Sequence, residues 1–166
     1  FDNNIMCISE KCIVAVESIV PAFVKQLEEN GVYYIDNETE MLQLTKTVLN
    51  HDMKMVRKME GKSAMDILEE AGIHPNRPVR LVVVRTFAKH PLVLEECLMP
   101  VVPLVAVADF EEALETALFT EQGYRHTAMV HSQCIDRLSK AAKIMNTTVF
   151  IKNGSSLAGI GLNGEE

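Results

Sequence analysis

Cys7 lies in the polar approach Phe1-Asp2-Asn3-Asn4-Ile5-Met6-Cys7-Ile8-Ser9-Glu10, just ahead of the apolar run Ile13-Val14-Ala15-Val16. A thiol at the mouth of a strand is a candidate nucleophile. The thiolate is the reactive form, and backbone N–H groups or cations around a partly exposed sulfur favour it, as a loop feeding a sheet edge can. The alternative is a small, inert, buried apolar side chain. A second cluster, Glu95-Glu96-Cys97-Leu98-Met99-Pro100, precedes the apolar run that starts at Val101. A carboxylate there can accept two hydroxyl donors at once, although a Glu-Glu pair before a strand is also ordinary solvated surface. Gly123-Tyr124-Arg125-His126-Thr127 leads into a further strand, where His126 is either a site residue or a packed strand histidine. His126, His131 and Cys134 do not make a zinc site, because the spacing sets the histidines on opposite pleat faces and no fourth ligand follows.

These residues need elements to position them, and hydrophobic periodicity supplies an alternation of strands and helices. Ile13 to Val16 reads as a strand, followed by a helix from about Pro21 to Glu29 closed by Asn30-Gly31. Asn37-Glu38-Thr39-Glu40 opens an amphipathic helix with acids at its positive end, through Met41, Leu42, Leu44, Val48 and Leu49. Ser63 caps a third helix that runs to Ala71 and stops at Gly72, and the stretch from Met53 to Met59 stays ambiguous. Arg80 to Arg85 and Val101 to Val107 are buried-strand candidates, with Pro103 expected at an edge or strand entry. Asp109 opens a helix, Arg125 to Val130 is a strand, Ser132 to Met145 a helix, and Thr147 to Ile151 a last strand. Such alternation predicts an α/β domain with a mostly parallel sheet covered on both faces.

A chain of 166 residues is one domain that buries roughly two-thirds of its unfolded surface. It opens on Phe1 and ends at Gly164-Glu165-Glu166, and the expectation is a piece of a longer, soluble protein. No run approaches the ~18 apolar residues of a membrane span. Four irregularly spaced cysteines and no Cys-x-x-Cys pair argue against a disulfide framework or structural zinc and fit a reducing cytoplasm. A formal charge of −7, with basic and acidic residues interspersed, leaves no stripe for a nucleic-acid backbone.

The opening segment resembles the nucleophile segment of the CoA-acylating aldehyde dehydrogenases of ethanolamine and propanediol utilisation, and of the aldehyde half of bifunctional alcohol/aldehyde dehydrogenases. Those enzymes carry a Phe-Asp-Asn block, three spacers, the catalytic cysteine, a small residue and an acid. The utilisation-type members usually place proline before the cysteine, where Met6 stands here. Glu96, Leu98 and Pro100 match a Glu-x-Phe/Leu-x-Pro motif of aldehyde dehydrogenases. Gly123 to Thr127 resembles Gly-x-x-His-Thr, and Ser155 to Gly161 resembles Ser-Ser-x-x-Gly-Ile-Gly. The glycines of this last stretch do not by themselves form a dinucleotide fingerprint, which needs an acid about twenty residues later.

The motifs run in family order from residue 1 to residue 161. The resemblance implies a three-layer αβα catalytic domain over residues 1–166, with the cofactor-binding domain outside the chain. It implies Cys7 as nucleophile, Glu96 on the nicotinamide ribose hydroxyls with Leu98 beside the cofactor, and His126, Asn4 and Ser155 along the substrate or CoA passage. The implied reaction is reversible oxidation of acetaldehyde or propionaldehyde with NAD and CoA through a cysteine thioester. A homo-oligomer in the cytoplasm or inside a bacterial microcompartment is expected. Two rivals stay open. One is a hydrolytic dehydrogenase, whose water-activating glutamate would precede Phe1; the other is an α/β binding module that has kept the fold without the chemistry.

Overall fold

Short runs of β-branched residues make strands, and here four of them pair into one parallel sheet. A computed structural model of the chain describes residues 2–161; Phe1, the first residue of the Phe-Asp-Asn block, and Gly164-Glu165-Glu166 lie outside the described residues. The strands β1 (Ile13–Val16), β2 (Val32–Ile35), β3 (Leu81–Thr86) and β4 (Val101–Val107) stand in the order β1-β4-β3-β2, every pair parallel. Parallel strands need crossovers that cover the faces. On one face α1 (Val20–Glu29) packs Val20, Phe23, Val24 and Leu27 against Ala15, Val32, Val83, Val102 and Leu104. On the other, α2 (Glu38–Val48), α3 (Ala64–Glu70) and α4 (Pro91–Leu94) bring Leu44, Val48, Ile67, Leu68 and Leu92 onto Ile35, Val82, Val84 and Val101. Val105 and Val107 extend this face to Ala113 of α5 (Phe110–Glu121). The result is the expected three-layer αβα arrangement.

Helix ends follow the sequence signals. Asn37 accepts a bond from the Glu40 N–H, Ser63 and Asp66 form a reciprocal capping box, and Asp109 accepts from the Glu111 and Glu112 N–H groups. Gly31 and Gly72, at φ 84° and 73°, stop the helices before them. The chain then adds a separate unit of β5 (Thr127–Val130), α6 (Ile135–Met145) and β6 (Val149–Lys152), with its two strands again parallel.

Three local expectations change. Val32-Tyr33-Tyr34-Ile35 forms β2, an edge strand absent from the sequence reading, because its two tyrosines interrupt the apolar run while only Val32 and Ile35 are fully packed. The ambiguous stretch contains a bridge from Leu49 to Met55 and a 3-10 turn at Arg57–Met59. Pro103 is not at an edge: β4 lies between β1 and β3. The Val82 N–H donates to the Pro100 carbonyl at 2.9 Å, so alternate residues of β4 face β3 while Pro103 faces β1. Pairing with β1 begins only at Leu104, opposite Ile13, so the missing N–H interrupts no ladder bond there.

Leu104 is 0% exposed at the centre of this sheet. Leu104→Ala is expected to lower unfolding free energy by about 2–5 kcal/mol, read from the urea denaturation midpoint at unchanged slope.

Candidate functional site

Because β1 and β4 are parallel neighbours, the segments that precede them emerge side by side at the amino-terminal edge of the sheet. Cys7 is on one and Glu96 on the other. Asp2, Asn3 and Asn4 have φ of 51°, 45° and 63°, a left-handed run that aspartate and asparagine tolerate better than other non-glycine residues. This run turns the two asparagine side chains onto neighbouring loops. Asn3 Nδ2 donates to the Gly61 carbonyl at 2.9 Å. Asn4 Nδ2 donates to the Met99 carbonyl at 3.3 Å and the Glu10 carbonyl at 3.1 Å, binding the thiol segment to the Glu96 loop. The Gly61 N–H in turn donates to the Leu98 carbonyl at 3.0 Å. Gly61 has φ +71°, which strains any other residue, and a Cβ there would stand 3.1 Å from Ile5 Cδ1, so the Ile5 side chain would have to shift. Leu98 itself has φ 45°, a conformation costing about 1–2 kcal/mol outside glycine. The surrounding hydrogen bonds hold it.

Electrostatics separate the cysteines. Burial pushes the Cys12 and Cys97 thiols up to about 12. The Cys97 Sγ also donates to the Leu92 carbonyl at 3.6 Å. Cys7 and Cys134 are exposed. The two glutamates also differ. Lys54 Nζ holds Glu95 at 2.5 Å, and the Glu95 side chain is 29% exposed. The Glu96 side chain is 57% exposed, with Lys11 Nζ at 3.9 Å. Lys11 Nζ donates to the Asn4 carbonyl at 2.7 Å. Burial pulls the Lys11 ammonium below its ordinary value, and Glu96 heads the negative groups that oppose this.

The structure thus brings together Asn4, Cys7, Glu96 and Leu98. His126 stands four residues beyond Gln122, whose Nε2 at the end of α5 donates to the Leu94 carbonyl at 2.9 Å, just ahead of the Glu96 loop. Its ring is exposed and its Nδ1 meets Thr127 Oγ1 at 2.7 Å. Ser155 has a local backbone partner. It follows β6 at the opposite end of the β5–β6 pair, and its Oγ accepts from the Leu157 N–H at 3.2 Å, capping the 3-10 turn Ser156–Ile160. Asn4 is buried and faces inward, as a tie between loops. Sequence reasoning did not single out Lys11, Gly61 or His90. His90 is 8% exposed and accepts the Leu92 N–H on Nδ1 at 3.2 Å, setting the turn that leads to Glu95. The His90-Pro91 pair, a cap followed by proline, was a legible signal for this turn. Nothing local marks Lys11 or Gly61, whose partners lie elsewhere in the chain.

No family model matches the chain. It is similar to propanal dehydrogenase (CoA-propanoylating) of Salmonella typhimurium, 41% identical over 99% of this chain and 35% of that protein. It is also similar to the acetylating acetaldehyde dehydrogenase EutE of Escherichia coli, 35% identical over 99% of this chain and 36% of the relative. Rhodopseudomonas palustris propionaldehyde dehydrogenase, solved with bound CoA and an acylated cysteine, superposes with TM-score 0.94 at 38% identity over 100% of this chain and 38% of that one. An engineered glycolyl-CoA reductase with bound NADP+ gives 0.94 at 39% identity, covering 100% and 38%. A propionaldehyde dehydrogenase from the Clostridium phytofermentans fucose utilisation bacterial microcompartment gives 0.93 at 35%, covering 99% and 38%. The fold is therefore the one that these aldehyde dehydrogenases share over this segment. More narrowly, the chain is homologous to one segment of the CoA-acylating aldehyde dehydrogenases, and it spans about a third of the length of the curated relatives it matches.

In the native chain iodoacetamide is expected to label Cys7 and Cys134 readily and the half-buried Cys12 more slowly, whereas the buried Cys97 reacts only after denaturation, as read by peptide mass spectrometry. Cys12 and Cys97 keep their protons in the folded chain up to about 12, while the unfolded chain releases them near 9.0. Stability from this source is fully present below 9.0 and falls as pH rises toward 12. Urea midpoints on either side of that value should show the decline, flattened in the Cys12→Ala, Cys97→Ala double variant.

Proposed function

We propose that this chain is the nucleophile-bearing catalytic domain of a CoA-acylating aldehyde dehydrogenase whose cofactor-binding domain lies outside residues 1–166. The observation that carries this reading is that the exposed Cys7 thiol and the exposed Glu96 carboxylate lie on two neighbouring loops tied together by Asn4. In the mechanism that follows, the Cys7 thiolate adds to the aldehyde carbonyl to give a thiohemiacetal, and the Cys7 backbone N–H helps hold the oxyanion. Glu96 and Leu98 fit a nicotinamide ribose: one offers a solvent-facing carboxylate that accepts two hydroxyl donors, the other a half-buried apolar surface beside it. NAD, when bound, accepts the hydride that converts the thiohemiacetal to a thioester on Cys7. The CoA thiolate adds to that thioester, the Cys7 thiolate leaves, and acyl-CoA departs. The reverse sequence reduces acyl-CoA to aldehyde.

Support for CoA as acceptor comes from the relatives' acylating activities and from the acylated cysteine in a similar structure. His126, which is exposed, is assigned by the family resemblance to the passage by which aldehyde or CoA reaches Cys7. Acetaldehyde and propionaldehyde are the proposed substrates. Similarity to a microcompartment enzyme supports housing in such a compartment within the cytoplasm, and a homo-oligomer is proposed from the family resemblance alone. Among the described residues no helix is long and apolar enough to cross a membrane.

The test is NADH formation from each aldehyde by the full-length protein, with and without CoA. Turnover is expected to need CoA and to fall by more than about a thousandfold in Cys7→Ala. Cys7-dependent turnover without CoA would establish the hydrolytic rival instead, and its absence with either aldehyde would favour a binding module.

A further inference from the structure

We propose that Lys11 is a positioning residue that couples the thiol segment to the Glu96 carboxylate, holding the cofactor-binding acid in place relative to Cys7. The inference rests on the assignment of Glu96 to the nicotinamide ribose.

Three observations carry it. Lys11 Nζ donates to the Asn4 carbonyl at 2.7 Å, and the same nitrogen stands 3.9 Å from Glu96 Oε1. The Lys11 side chain is only 25% exposed, so the stem is packed and the ammonium has few other places to go. Asn4, which receives this bond, is itself 8% exposed and reaches the Met99 carbonyl of the Glu96 loop. One cation is therefore fixed by a charge-assisted bond to the thiol segment before it meets the carboxylate. An ion pair with a partner as exposed as Glu96 is weak when both side chains are free to move. Here one partner is already immobilised, so most of the ordering cost falls on Glu96 alone.

The experiment is a double-mutant cycle in the full-length enzyme with Lys11→Met, Glu96→Gln and the pair, reading KM for NAD and kcat under saturating CoA and aldehyde. Lys11→Met is expected to raise KM for NAD about two- to fivefold, the range of a weak ion pair, with a smaller change in kcat. In a Glu96→Gln background it should add less than half of that effect, and Lys11→Arg should restore the wild-type KM. If Lys11→Met does not accumulate as folded enzyme, Lys11→Gln, which keeps a donor for the Asn4 carbonyl, replaces it in the cycle. Additive effects, or an unchanged KM in the lysine variant while Glu96→Gln raises it, overturn the coupling and leave the Glu96 assignment standing. An unchanged KM in Glu96→Gln overturns that assignment and the coupling with it.

Discussion

The parallel pairing of β1 with β4 is the constraint on which the site depends. Residues far apart in the chain lead into these two strands, and the register that sets Ile13 beside Leu104 brings both lead-in segments to one edge. Parallel neighbours place like ends together, whereas an antiparallel pair would have sent the two segments to opposite edges. The apolar layers on either side hold that register, since a slip of β1 by one residue would turn Ile13 and Ala15 away from α1 and Val14 away from the layer of Val105, Val107 and Ala113.

A site at the amino edge is unusual for an open α/β sheet, where ligands commonly sit outside the carboxyl ends of the strands. Helix N-termini that polarise a bound anion or acidify a thiol lie at that other edge. Here the loops do the work with side chains instead. Asn3 and Asn4 lace the thiol segment to Gly61 and Met99, and Lys11 brings a cation to the junction. The left-handed conformations at Asp2, Asn3, Asn4 and Leu98 cluster at this junction, as strained backbone does where surrounding bonds over-determine it.

The β5-α6-β6 unit stands apart in its hydrogen bonding. Its strands pair only with each other among the described residues, and α6 carries Ile135 at 75% exposure, with Tyr124 at 77% ahead of β5. Two strands alone are marginal in water. The unit is held by its own crossover helix and by contacts from α5, including Lys140 on Glu111 and Arg137 over the Phe110 ring. Its amino end carries His126 and its carboxyl end Ser155, so the two lie at opposite ends of the strand pair.

Read alone, the sequence already determined the helices with clear caps, the apolar strands β1, β3 and β4, and Cys7 and Glu96 as the residues fit for chemistry. These signals are local: an Asn37 or Ser63 cap, or a run of valines, has the same physical meaning wherever the chain goes. Strand β2 was hidden because an edge strand exposes more side chain, so Tyr33 and Tyr34 weaken its pattern. Pro103 pointed the wrong way because its cost depends on which neighbour its missing N–H faces, and only pairing decides that. Tertiary structure alone gave Glu95 to Lys54, kept Asn4 and Ser155 in structural ties, and brought Lys11 and Gly61 to the loops around Cys7. Each of those outcomes depends on a partner many residues distant, and no local pattern encodes a contact that exists only once β1 lies beside β4.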